Sequence, residues 1–272
     1  MTLLFAALLF QAAATSPSLD QILWRVALNQ ARAQDARTSY VYSQRVRIRL
    51  RKPNGALMRD EDRLYRIAPA PRGVDKQLIK LQGRYARGDG FTSYDKADFQ
   101  YKAIDLDGAL AQGFADGFTN DPESRDGIAH DLFPLTAHEQ LKYIFVLKGR
   151  EKYQDRDVYR IAFRPRPHTE GNWTGEALVD VEECQPLFVQ TRLARGIPVA
   201  VRTLLGSNVR GLGFSITYRK VDEVWFPATY GGEFSLRVLF GYKRNISIDL
   251  ANSDFVRTRV DSAIRFEEAP AH

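Results

Sequence analysis

Residues 141–193 contain four successive stretches in which apolar side chains recur at every second position. That period of two restricts the region to strands, because neighbouring side chains of a strand point to opposite faces. In 141–149, Leu141, Tyr143, Phe145 and Leu147 share one face, with Lys142 and Lys148 on the other. In 157–164, Tyr159, Ile161 and Phe163 oppose Arg160 and Arg164. In 176–182, Ala177, Val179 and Val181 oppose Glu176, Asp180 and Glu182, and in 187–193, Leu187, Val189 and Leu193 oppose Gln190 and Arg192. Turn-forming residues fill the connections at 153–156, 165–171 and 183–186. The region predicts an antiparallel sheet with one apolar and one wetter face. No out-of-pattern polar residue marks a strand end as an enzyme site.

The alternation extends in both directions. Residues 40–67 form a long hairpin around Lys52-Pro53-Asn54-Gly55, where Pro sets φ and Asn-Gly tolerates positive φ. Arg45, Arg47, Arg49 and Arg51 line one face of its first strand, and Val46, Ile48 and Leu50 the other. A two-residue turn at Asn54-Gly55 places Arg49 opposite Asp60 and Arg47 opposite Asp62. A three-residue turn from Pro53 pairs Arg47 with Glu61 and Leu50 with Met58, and the sequence leaves both open. The arginine row is either a contact for an anionic surface or a charge-laced solvent face, and the facing acids favour the second. Short strands are predicted at 77–81 and 91–94, and further strands at 199–205, 212–220, 224–230, 234–242, 245–250 and 260–266. Roughly ten to twelve strands with short connections imply antiparallel neighbours in one curved sheet. The class is mainly β (α+β).

Two segments break this period. Residues 19–36 place Leu19, Ile22, Leu23, Val26 and Ala27 at helical spacing behind Ser18, a capping residue. Residues 103–135 space Leu106, Leu110, Phe114 and Phe118 like a helix but interrupt it with Gly108, Gly113 and Gly117. Short glycine-interrupted helices between strands suit a movable cover over an apolar sheet face, or an ordinary packed insertion.

Residues 1–14 read as a cleaved export signal: Leu3 to Phe10 is an apolar run, and Gln11-Ala12-Ala13-Ala14 offers the small-x-small pattern of a signal peptidase site. The run is too short to span a bilayer. No Gly-, Ser- or Pro-rich linker divides 15–272, which is read as one domain. The net charge of +6 suits an anionic membrane surface or an acidic partner, or simply a solvated basic face. Cys184 is the only cysteine, so an internal disulfide and a four-cysteine metal site are excluded.

Enzyme and metal motifs are missing. His130, His138, His168 and His272 match no metal-ligand spacing, and Asp105-Leu106-Asp107-Gly108 lacks the remaining ligands of a calcium loop. Asp180 and Glu182 lie two apart on one face, where paired carboxylates are usually solvated charges. No nucleophile elbow or nucleotide-binding loop is present. The chain is expected to be non-enzymatic, with no cofactor and no metal.

At Trp173-Thr174-Gly175-Glu176-Ala177-Leu178-Val179-Asp180 the chain resembles a known family. A Tyr-Arg-Ile-x-Phe strand (Tyr159 to Phe163), the Trp-x-Gly strand ending in Val-Asp, and a strand after Pro186 are similar to the periplasmic lipoprotein-carrier (LolA/LolB-like) superfamily. The leading helix and the hairpin fit the same layout. The resemblance implies a half-open β-barrel made of a single curved antiparallel sheet, with an N-terminal helix and short helices lidding a concave face that holds acyl chains. The family has no catalytic motif. The expected function is an exported carrier or sensor of a hydrophobic ligand, lipid acyl chain or lipoprotein. Tyr143, Phe145, Phe163, Trp173, Phe214, Phe234 and Phe240 are the expected cavity walls, and Arg45, Arg47, Arg49 and Arg51 the expected anionic-surface contacts. The chain is expected to be a monomer that binds no nucleic acid. The alternatives are an envelope interaction protein using its basic face, and a hydrolase in which His130, Asp131 and His138 converge.

Overall fold

A computed structural model describes residues 17–70, 73–117, 134–170, 172–194, 209–237 and 241–258. Ser18 opens the first helix, α1 (Leu19–Arg37), with a capping box. Its hydroxyl accepts from the Gln21 amide at 3.2 Å, and its own amide donates to the Gln21 side chain at 2.9 Å. Ile22, Leu23, Val26 and Ala27, spaced for one helix face, are buried, and Gln30, Ala33 and Arg37 continue the buried side. Ser18→Ala should lower unfolding free energy by about 1 kcal/mol, measured by urea titration.

Among the described residues twelve strands follow: β1 (Tyr40–Arg51), β2 (Leu57–Pro69), β3 (Val74–Arg87), β4 (Gly90–Tyr94), β5 (Tyr143–Tyr153), β6 (Arg156–Pro165), β7 (Trp173–Asp180), β8 (Pro186–Leu193), β9 (Val209–Arg210), β10 (Gly213–Val221), β11 (Val224–Arg237) and β12 (Lys243–Arg257). They form one sheet in the order β4-β3-β2-β1-β12-β11-β10-β8-β7-β6-β5, with β9 added beside β11. Among the described residues every strand pairing is antiparallel. The path runs from β4 to β5 without closing, which makes a half-open barrel. Two further helices, α2 (Leu106–Gly117) and α3 (Ala137–Gln140), lie between β4 and β5 in sequence.

The hairpin register is the one that a two-residue turn predicts, with Arg49 opposite Asp60 and Arg47 opposite Asp62. The turn itself is longer, closed by Lys52 N–H to the Ala56 carbonyl at 2.8 Å, and a bulge at Leu50/Arg51 absorbs the difference. Two connections are tight turns with positive φ at both central residues, Gln154-Asp155 and Asp222-Glu223. That backbone matches the twist of the strands it joins.

Four predicted strands are redrawn. β3 covers fourteen residues rather than 77–81, because β2 offers it a long partner edge. The predicted strands at 224–230 and 234–242 are joined through Gly231-Gly232 into one strand that ends at Arg237. A Cβ on Gly232 would lie 2.4 Å from the Gly213 carbonyl oxygen, so this close approach of backbones requires glycine. β5 begins at Tyr143, and a register shift between Leu147 and Gly149 breaks its alternation. Leu141 is therefore 72 % exposed and Leu147 37 %, although both were expected on the apolar face. The predicted strands at 199–205 and 260–266 lie outside the described residues, as does the export signal at 1–14.

Candidate functional site, the lidded inner face

Alternate residues of the strands build one continuous inner surface. Tyr42, Val46, Ile48 and Leu50 of β1 continue into Ile246, Ile248 and Leu250 of β12, then Tyr230, Phe234 and Leu236 of β11. Phe214 and Ile216, Val189, Ala177 and Val179, and Tyr159, Ile161 and Phe163 extend it to the far edge. Two helices cover this surface. Ile22, Leu23 and Val26 of α1 and Leu110, Ala111, Phe114 and Ala115 of α2 belong to the same apolar cluster. Phe114 meets Phe234 edge-on, with ring centres 5.2 Å apart.

The α2 helix adds polar attachments at both ends. At its start the Asp105 carboxylate accepts from the Gly108 amide at 2.9 Å, capping the helix, and lies 3.1 Å from Arg59 of β2. Asp107 accepts from Arg244 of β12 at 2.7 and 3.0 Å and from the Tyr242 hydroxyl. At its far end the Lys76 ammonium of β3 donates to the Ala115 carbonyl at 3.2 Å and stands 4.0 Å from the centre of the Tyr65 ring. Burial pulls the Lys76 pKa down to about 7, with Asp116 opposing the fall and Arg63 adding to it.

Beneath the start of α2 the inner face changes character. Arg59, Glu61 and Arg63 occupy alternate positions of β2, in line with Tyr65 and Ile67, and all three are buried. Glu61 accepts from the Arg63 guanidinium at 2.5 and 2.8 Å and from the Tyr94 hydroxyl at 2.5 Å. The Tyr94 ring lies over Gly83, where a Cβ would come within 2.2 Å of it. Burial and then the Glu61 charge raise the Tyr94 pKa, so its proton stays on the phenol. Tyr85, Phe99 and Tyr101 close over this layer with ring centres 4.9–5.5 Å from one another's partners in the pairs Tyr85–Tyr101 and Tyr85–Phe99.

The outer face carries the arginine row. Arg45 donates from Nε to Asp62 at 2.8 Å, Arg47 to Asp60 at 2.9 and 3.0 Å, and Arg49 pairs with Asp249. Arg84 donates to the same Asp60 at 3.0 Å. Burial pushes the Asp60 carboxyl up, but the Arg47 and Arg84 guanidiniums outweigh it and hold the pKa below the usual range. Arg45→Ala should cost no more than about 1 kcal/mol, because the Arg45–Asp62 pair is largely exposed; urea titration in low and high salt checks it.

Of the expected cavity walls, Tyr143, Phe163, Trp173, Phe214 and Phe234 are buried in the main cluster and Phe145 packs against it. They form separate contacts rather than one ring: Tyr143 with Phe163 at 5.7 Å, Trp173 with Phe214 at 4.5 Å, and Phe234 beneath α2. Phe240 lies outside the described residues. In the Trp173-Thr174-Gly175 strand, a Cβ on Gly175 would fall 1.9 Å from the Gln190 carbonyl oxygen, so the motif marks a close strand contact.

Other candidate groups have local roles. Asp180 is buried rather than solvated: it accepts from Arg156 at 2.9 Å and from the amides of Glu182 and Glu183 at 3.0 and 2.7 Å, organising the β7–β8 turn. Cys184 is buried in that turn, and burial raises its pKa ahead of Asp180, which adds to the shift. His138 is exposed beside Glu139, and His168 has a positive φ after β6. His130, Asp131 and His272 lie outside the described residues.

No family model and no curated protein matches the chain. Among solved structures it is similar to a LolA-superfamily protein from Nitrosomonas europaea, at 11% identity over 89% of this chain and 94% of that one, with a TM-score of 0.37. An outer membrane lipoprotein-sorting protein domain from Vibrio parahaemolyticus matches at 16% identity over 88% and 94%, again at 0.37. A DUF1329 family protein from Desulfovibrio piger matches at 12% identity over 89% and 93%, also at 0.37. The open sheet rests on this chain's own strand order.

Proposed function

We infer that the protein is an exported, non-enzymatic carrier or sensor that binds an acyl chain between its sheet and α2. One observation carries this reading: a continuous apolar sheet face is covered by a short helix whose ends are tied down by polar contacts. Lifting α2 exposes Leu110, Phe114, Phe234 and Ile48 together, and an acyl chain entering there gains about 0.8 kcal/mol for each buried methylene. Such binding needs no covalent step. The apolar run at 3–10 followed by small residues supports export. The arginine row supports a solvated, charge-laced face more than an anionic contact, since Arg45, Arg47 and Arg49 already have carboxylate partners.

The test is expression with the signal in a bacterial periplasm, purification without detergent, and native mass spectrometry followed by lipid extraction. A co-purifying acyl lipid or lipoprotein, or uptake of a fluorescent fatty acid by the stripped protein, is the expected result. An apo mass together with no uptake sinks the reading and favours a packed interaction protein.

A further inference from the structure

Residues 101–107 are built inside out. Tyr101, Lys102, Ala103, Ile104 and Leu106 face solvent, with Ile104 72 % exposed, while Asp105 and Asp107 between and after them are buried. A surface segment ordinarily does the reverse, since carboxylates are costly to bury and apolar side chains gain by it. The buried acids are held by arginines. Asp105 lies at ion-pair distance from Arg59, and Asp107 takes both hydrogen bonds of the Arg244 fork.

The Arg59 site is poorly filled. Its side chain has no exposed surface, yet none of its three guanidinium nitrogens has a hydrogen-bond partner among the described residues. Its nearest acids, Asp105 at 3.1 Å and Glu61 at 3.6 Å, supply charge without hydrogen-bond geometry. A planar guanidinium is satisfied by two oxygens presented side by side, as in a carboxylate or phosphate. Gly108 leaves room for the fork: a Cβ there would lie 2.2 Å from Arg59 Nη1. A groove of about 470 Å³ runs along Asp107 and Arg244, lined mainly by apolar atoms of Tyr101, Ile104, Leu106 and Tyr242; Arg59 lies outside its wall, against the neighbouring Asp105.

We propose that Asp105 and Asp107 are resident stand-ins for the anionic headgroup of an amphiphile, which Arg59 and Arg244 bind as carboxylate or phosphate. When a ligand anion takes the two arginines, the acids are released and residues 101–107 turn over. Tyr101, Ile104 and Leu106 then pack on the ligand's chain, and the N-cap that fixes α2 is lost. The exposed apolar residues and the buried acids thus belong to the closed state of one switch. This rests on the acyl-chain reading above and adds the headgroup that reading leaves open.

The test compares cis-parinaric acid with its methyl ester, the same fluorescent chain with and without the charge, on the wild type, Asp107→Asn and Arg244→Gln. Inorganic phosphate is tested separately by thermal shift. Asp107→Asn should tighten binding of the acid about tenfold, 1.4 kcal/mol, and leave the ester unchanged. Arg244→Gln, at a side chain 14 % exposed, should abolish the preference for the acid. If acid and ester bind equally to all three proteins, the headgroup site is overturned and the acyl-chain reading stands. If neither probe binds but phosphate stabilises the wild type and not Arg244→Gln, the anion site stands and the acyl-chain reading falls. Failure of the probes and of phosphate overturns both.

Discussion

Glu61→Gln should be the most damaging single substitution in the described structure, lowering unfolding free energy by about 3–5 kcal/mol. Glu61 is 3 % exposed and sits between Arg59 and Arg63, themselves fully or almost fully buried. Its two oxygens receive Arg63 and Tyr94. Glutamine keeps the size but removes the charge and turns one acceptor into a donor pointed at donors. Arg59 then keeps Asp105 at 3.1 Å while Arg63 keeps the Tyr65 hydroxyl, a neutral partner, and an uncompensated buried charge costs far more than an exposed pair is worth. Urea unfolding at neutral pH should show a lower midpoint with an unchanged slope, and thermal unfolding a fall of roughly 10 °C. Combining Glu61→Gln with Arg63→Met should cost less than the sum of the two, since the second change removes the charge orphaned by the first. A loss below about 1 kcal/mol for the single change would mean that water reaches the cluster and screens it.

That cluster also shows where the sequence stopped being legible. The apolar parity of β1, β6 and β8 predicts their buried faces because burial of apolar area dominates there. Ser18 predicts the start of α1, and of the two hairpin registers that the sequence leaves open the structure contains the one with Arg49 opposite Asp60 and Arg47 opposite Asp62. In β2 the same parity places Arg59, Glu61 and Arg63 on the face of Tyr65 and Ile67. A charge at such a position reads as solvated until a counter-charge arrives from elsewhere. Here the partners come from Tyr94 and Asp105, 33 residues from Glu61 in the first case, which no local pattern joins. The signal was present as charge on both faces of one strand, a pattern that fits neither a half-solvated strand nor an apolar one. Leu141 and Leu147 fail for different reasons: Leu141 ends α3 before the strand begins, and Leu147 stands at the register shift of an edge strand. Tyr143, Phe163, Trp173, Phe214 and Phe234 were legible as buried positions. Their role as ligand contacts is a proposal, because a core aromatic and a cavity aromatic follow the same period.

Between pH 7 and 10 the stability of the wild type should rise with pH, and Lys76→Met should remove that rise. Burial lowers the Lys76 pKa to about 7 in the folded protein, against an ordinary 10.5. Asp116 pulls it up and Arg63 pushes it down, while the Tyr65 ring and the Ala115 carbonyl are its immediate contacts. In this window the unfolded chain holds the lysine proton and the folded chain does not. Raising the pH therefore favours folding, by at most about 1.4 kcal/mol per pH unit from this group. Below pH 7 both states hold the proton, so the full penalty, about 5 kcal/mol as an upper bound, is already present and stability gains nothing further from Lys76. Above pH 10 the buried tyrosines reverse the trend. Tyr65, Tyr94 and Tyr242 all have raised pKa values, chiefly through burial, so unfolding releases their protons and stability falls. The experiment is urea unfolding at pH 7, 8, 9 and 10 for both proteins. Their difference isolates Lys76 because every other group is shared. Parallel profiles would show that the ammonium stays charged against the Tyr65 ring and the α2 carbonyl. The end of the helix would then be held by a cation throughout, and its attachment would be independent of pH across the whole range.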